Sequence, residues 1–162
     1  MVFTVLFMFT IRILFDFSKK KLNGVERILV SSPKVLETAR KHFGCNTLEG
    51  IALENHYGEG TAGSHWEQRY MFGDYMNGIM TQQMTISEIT LALFEDLGWY
   101  KTNKYTGGLF RFGKNKGCNF INGNCVQNEK SISTNDFCDT RNSQKCFPSR
   151  TARGYCYLAE YA

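Results

Sequence analysis

The stretch GEGTAGSHWEQRYMFGDYM, from Gly58 to Met76, constrains this chain more than any other. Gly58, Gly60, Gly63 and Gly73 permit backbone turns that residues with a Cβ resist, so the stretch reads as a shaped loop. One histidine, His65, stands in it between Ser64 and Trp66. A shaped loop carrying an imidazole is a candidate site. A lone histidine beside a tryptophan is nevertheless more often packed or hydrogen-bonded than a ligand.

The loop resembles the leishmanolysin family of zinc endopeptidases, of the metzincin group. In that family a Gly-Ser-His-Trp segment supplies the third zinc-binding histidine, far from the helix that bears the other two. A methionine eleven positions later forms the Met-turn. The matching residues are His65 and Met76, at that spacing. The similarity extends to His42-Phe43-Gly44-Cys45-Asn46-Thr47-Leu48-Glu49-Gly50 before the loop, and to LALFEDLGWY (Leu91 to Tyr100) and GKNKGC (Gly113 to Cys118) after it. It covers roughly Asn23 to Cys156. The resemblance implies an α+β fold in which residues 23–104 form a metzincin C-terminal subdomain, mainly helices and irregular loops. Residues 105–162 would be a disulfide-rich lobe with little regular structure, expected to run on past Ala162, and 1–22 an apolar and basic segment of uncertain origin.

A peptidase zinc needs three protein ligands and a fourth position for a water whose pKa it lowers toward ~7. Hydrolysis also needs a general base, usually the Glu of H-E-x-x-H, whose two histidines share one side of a helix. No H-E-x-x-H occurs in these residues; the histidines are His42, His56 and His65, with no pair at i, i+4. His42 falls at a predicted helix end, where a cation suits the dipole, and His56 in a polar turn. Neither is favoured as a ligand. Glu59 and Glu67 flank the third-ligand position, but nothing places either as the base; Glu67 is expected to be a surface group or a group supporting the ligand. The resemblance thus implies a zinc-dependent metalloendopeptidase of peptide or protein substrates, extracellular or at the cell surface, with membrane-surface association allowed. His65 is the metal ligand, Met76 the floor beneath the metal, and one zinc ion is incompletely liganded. These 162 residues alone are expected to be inactive. The alternative is a non-catalytic, disulfide-stapled extracellular adhesion or binding protein derived from a peptidase.

A length of 162 residues suits one domain, and 43% hydrophobic with 14% aromatic residues excludes a disordered chain. A net charge of +4 with dispersed basic residues argues against nucleic acid as a partner. The one basic run, Lys19-Lys20-Lys21, reads as a solvated turn. The six cysteines include no CxxC pair and match no zinc finger or ribbon. Five crowd the last third among Asn, Gly, Ser and Thr, as in a disulfide-stapled lobe of an exported protein. Reduced cytosolic thiols are the alternative, and the absence of an N-x-S/T sequon leaves export without that support. By resemblance Cys45 pairs with Cys118. Cys138 with Cys156 is expected as a second bond, which leaves Cys125 and Cys146 to partners beyond Ala162.

Met1 to Phe15 is apolar for eleven residues before Arg12. That is shorter than the about 20 residues that span a bilayer. It lacks a basic start and a small-x-small cleavage site, so it is a weak signal peptide. The favoured reading is that Met1 is not the natural start and that these residues are internal or a misread exon edge.

Ser32-Pro33 predicts a helix over Pro33 to Phe43, with Val35, Leu36, Ala39 and Phe43 on one face and Gly44 closing it. Thr85-Ile86-Ser87-Glu88 has the capping-box pattern and opens a helix over Ser87 to Leu97. Its stripe of Ile86, Ile89, Leu93 and Leu97 is expected to back the Met-turn. Between the two helices the His65 loop should lack regular structure and turn the imidazole toward an open concavity. From Tyr105 the periodicity fades, leaving a strand or short helix only at Gly154 to Tyr161 and disulfides to hold the lobe.

Overall fold

A computed structural model describes residues 17–22, 24–81, 84–104, 109–147 and 152–158. The apolar segment Met1 to Phe15 and the end of the Gly154 to Tyr161 stretch lie outside them. The described residues open with an antiparallel hairpin of β1 (Phe17–Leu22) and β2 (Val25–Val30), in register from Phe17↔Val30 to Leu22↔Val25. The three lysines therefore lie on an edge strand, not in a turn. Gly24, at φ 83°, makes the reversal next to Val25 instead. Lys19 pairs with Glu26 and Lys20 with Glu49, and charged side chains on an edge discourage pairing with another chain.

Helix α1 (Pro33–Phe43) follows, burying Val35, Ala39 and Phe43 on its inner face. Gly44 closes it in the left-handed region at φ 68°. Ser32 holds the cap position, but its hydroxyl makes no capping bond. The carboxylate of Asp96 accepts from the amides of Lys34 (3.0 Å) and Val35 (3.0 Å) instead. One helix is thus capped by a side chain of another, which satisfies the donors that every helix start leaves open.

Strand β3 (Ile51–Ala52) joins the other side of β2, with Val30 opposite Ile51. The ladder continues beyond it as single bridges, Leu53↔Trp66 and then Trp66↔Asn77. The sheet therefore reaches into the glycine-rich stretch, which also contains a one-turn helix, α2 (Gln68–Met71). This corrects the expectation of a loop without regular structure.

Helix α3 (Glu88–Asp96) packs along α1. Its cap is Ser87, whose Oγ accepts from the Thr90 amide at 3.1 Å. Thr85 stays outside the helix, bridged to Asp74, so the expected capping box does not form. Ile89, Leu93 and Leu97 are buried, whereas Ile86 is 38% exposed and leaves the stripe.

The segment around Asn115 to Cys118 docks on the C-terminal end of α1. Asn115 N–H donates to the His42 carbonyl (2.8 Å) and Gly117 N–H to that of Phe43 (2.7 Å), satisfying helix-end acceptors. Cys45 is bonded to Cys118, the first residue of α4 (Cys118–Asn122). Phe43, Phe112, Phe120 and Phe137 then pack ring on ring, two pairs stacked and two edge-on, with centroids 5.2 to 5.9 Å apart. Beyond them lie two short antiparallel pairs, β4 (Val126–Gln127) with β5 (Lys130–Ser131) and β6 (Gln144–Cys146) with β7 (Arg153–Tyr155). A second disulfide joins Cys138 to Cys156, and Cys125 and Cys146 are free thiols. The class is α+β, with small sheets and irregular loops.

The Cys45–Cys118 bond closes a 73-residue separation. Loop-closure entropy assigns such a cross-link about 4 kcal/mol. Replacing both residues with serine should therefore lower the unfolding free energy by roughly that amount in denaturant titrations, while removal of the shorter Cys138–Cys156 loop should cost less.

Candidate metal site

The backbone on both sides of His65 is tied down. The Glu54 amide donates to the His65 carbonyl (2.9 Å), the Gly63 amide to the Glu54 carbonyl (2.8 Å), and the Glu67 amide to the Ala52 carbonyl (2.9 Å). Next to His65, the Trp66 amide donates to the carbonyl of Met76 at 2.9 Å. That bond ties Met76 to the residue that directly follows His65. Space is tight there: a Cβ on Gly78 would lie 2.3 Å from the Thr61 methyl and 3.9 Å from His65 Cβ.

The imidazole is half-buried. Ser64 Oγ lies 2.9 Å from its Nδ1, 3.0 Å from the Gly60 carbonyl and 3.1 Å from that of Thr61. Carbonyls only accept, and a serine hydroxyl has one proton. All three contacts are satisfied only when that proton points to the carbonyls and Nδ1–H donates to Oγ. Nε2 then carries the lone pair, and it has no hydrogen-bond partner among the described residues. That is the form in which a histidine binds a metal, with its second nitrogen oriented by a neighbour.

Met76 occupies the turn Asp74–Asn77, closed by Asn77 N–H donating to the Asp74 carbonyl at 3.1 Å. Inside it the Asp74 carboxylate accepts from the Met76 amide at 2.7 Å, the self-bonding that makes aspartate a turn former. The Met76 side chain packs on the edge of the core. Asp74 itself is fully buried. Its burial pushes the carboxyl above the ordinary aspartate value, while donors from Ser87, Met76 and Thr90 pull it back.

Two further carboxylates hold the loop. Glu54 is buried and accepts from the amides of Asn55 (3.0 Å), His56 (3.0 Å) and Gln68 (3.1 Å). Glu67 is buried as well, in an ion pair with Arg27 of β2, whose guanidinium also donates to Asn55 at 3.1 Å. Glu67 is therefore no surface group. It staples the loop to the sheet.

The other histidines have different tasks. His42 Nε2–H donates to the Phe112 carbonyl (2.8 Å) and its ring stacks on Phe110 at 5.1 Å. His56 is exposed. No group of three or more His, Cys, Asp or Glu side chains placed to hold a metal occurs among the described residues. A cleft of about 690 Å³ is bounded by Tyr57, Gln68, Arg69, Phe137 and Phe147, and His65 is not part of it. Sequence reasoning missed Asp74, Glu54 and Arg27; a Gly-Asp pair two residues ahead of Met76 is a turn signal that marks the first.

The leishmanolysin family model, peptidase M8, matches residues 3–162. The leishmanolysin-like peptidase of Caenorhabditis elegans is 44% identical over 106 residues, 64% of this chain and 16% of that protein. The leishmanolysin homolog of Crithidia fasciculata is 36% identical over 134 residues, 82% of this chain and 20% of that protein. The leishmanolysin of Leishmania donovani is 28% identical over 158 residues, 97% of this chain and 27% of that protein. The chain belongs to the leishmanolysin family of metallopeptidases. It spans less than a third of the length of these relatives.

Burial pushes the His42 imidazole below its ordinary value of 6.5, against the bond to Phe112, which raises it. The unfolded chain then binds the extra proton more readily than the folded one, so this contribution to stability is present above that value and lost as pH falls through the lower, folded one. Melting temperature should fall as pH drops below the ordinary histidine value of 6.5, and His42→Gln should flatten the part of the slope that His42 supplies.

Proposed function

We propose that this chain forms the third-ligand and Met-turn part of a zinc-dependent metalloendopeptidase that acts on peptide or protein substrates. The observation that carries the reading is the His65 imidazole, whose Nδ1 is engaged by Ser64 and whose Nε2 is left with its lone pair. That donor suits one coordination position of zinc, a metal that takes imidazole nitrogen readily. Zinc supplies Lewis-acid activation of water for attack on a peptide carbonyl once three protein groups hold it. In these residues Ser64 orients the imidazole, His65 presents the ligand nitrogen, Met76 and Trp66 fix the floor and wall beside it, and no H-E-x-x-H motif occurs in the sequence to supply the general base.

Two disulfides support export, since such bonds persist in oxidising compartments. We propose an extracellular or cell-surface location on that ground. Association with a membrane surface and the detailed domain bounds at residues 22 and 104 rest on the family resemblance.

A zinc site derives its free energy from several ligands acting together. The 162-residue chain should therefore bind zinc weakly and leave peptides uncut. A longer form with an H-E-x-x-H helix upstream should retain about one zinc per chain after dialysis, and His65→Ala should abolish both retention and cleavage. Stoichiometric zinc on the 162-residue chain, measured by elemental analysis, would overturn the reading.

A further inference from the structure

We propose that Asp74 is the positioning residue of this site, acting through Thr90 and the Met76 turn to set where His65 is held. The inference rests on the reading of His65 as a ligand and adds to it the group that orients the ligand segment.

The network has one direction. Trp66 Nε1–H donates to Thr90 Oγ1 at 2.8 Å, and that hydroxyl donates to both Asp74 oxygens at 2.9 and 3.0 Å. The Asp74 oxygens also accept from the amides of Met76 (2.7 Å) and Ser87 (2.9 Å). All of these groups except Met76 are buried. Trp66 directly follows His65 in the chain and returns to Met76 through its own amide. One carboxylate thereby fixes the indole side of the ligand segment and the turn that faces it.

A simpler role, capping α3, does not account for this arrangement. Ser87 Oγ already accepts from the first-turn amide of Thr90, and Glu88 already places a negative charge by the helix start. The Ser87 amide alone would occupy one oxygen of Asp74. The remaining bonds run to the Met76 turn and toward Trp66. An ionisable group is costly to bury, and its retention here is explained by the three segments it holds in one geometry.

The imidazole itself makes only the bond to Ser64 among the described residues, so its direction follows the backbone of 64–66. Losing the Thr90 hydroxyl strands a buried indole N–H and one side of a buried carboxylate. The effect should appear at His65 and Met76 although neither is hydrogen-bonded to Thr90 among the described residues.

The test uses the 162-residue chain without metal, in isotope-labelled form. Thr90→Val removes the hydroxyl at nearly constant shape, Thr90→Ser keeps it, and Val35→Ala, in α1, serves as a control that destabilises elsewhere. In Thr90→Val the His65 ring and backbone resonances should shift, and exchange of the Trp66 indole proton and the Met76 amide should accelerate about tenfold, the scale of one hydrogen bond to a charged acceptor. Amides of α1 should be little affected. Thr90→Ser should restore the original pattern, and Val35→Ala should disturb α1 while leaving the His65 signals in place. If Thr90→Val does not fold, Asp74→Asn is expected to give the same local signature relative to Val35→Ala. Unmoved His65 and Met76 signals, or equal movement in Val35→Ala, would overturn the proposal. Because no metal is added, this outcome is independent of whether a longer form binds zinc.

Discussion

The buried carboxylate of Asp74 is the constraint on which the site depends. It accepts hydrogen bonds from a turn, a helix cap and a threonine that in turn holds a tryptophan. A glycine-rich loop of this length has a large conformational entropy to lose, and ordering one residue costs about 1–2 kcal/mol. Individual hydrogen bonds return about 1 kcal/mol each. Several must therefore converge on few anchors, and Asp74 is where they do so.

Glu54 and the Arg27–Glu67 pair complete the frame from the opposite side. Glu54 gathers three amides of the loop, while Glu67 ties α2 to the central strand β2. A charge pair of this kind adds little net stability against a hydrophobic alternative, but removing one partner leaves the other buried alone. Its value here is register: the loop can sit on the sheet in one way only. The extension of the ladder from β3 through Leu53, Trp66 and Asn77 fixes the same register in the backbone.

Much of this was legible in the sequence. The period of Val35, Ala39 and Phe43 and the flanking Pro33 and Gly44 mark α1 at its observed ends. The α3 stripe is correct from Ile89 onward. The hairpin β1–β2 was missed because three consecutive lysines hide strand alternation, although Asn23-Gly24 between Leu22 and Val25 is a hairpin signal. The start of α3 was read to within a residue, but its cap was assigned to Thr85 because Thr85 and Ser87 both offer capping hydroxyls; Ser87 is the cap, and Asp74, distant from the pattern, accepts from its amide. For the site, His65 and Met76 could be read from a motif and its spacing. The groups that position them are buried carboxylates that, besides bonds to their own turns, reach partners 13 to 40 residues away, a kind of contact that local pattern does not reveal.

The central claim is that His65 and Met76 belong to one ordered unit in this chain before any metal is present. Native-state hydrogen exchange of the unmodified protein tests it most directly, because each key amide reports one bond of the network. The amides of Trp66, Met76 and Ser87 and the Trp66 indole proton should exchange together, with protection comparable to that of α1 and α3. Exchange of these protons at the rate of exposed loop amides, while the helices remain protected, would contradict the account.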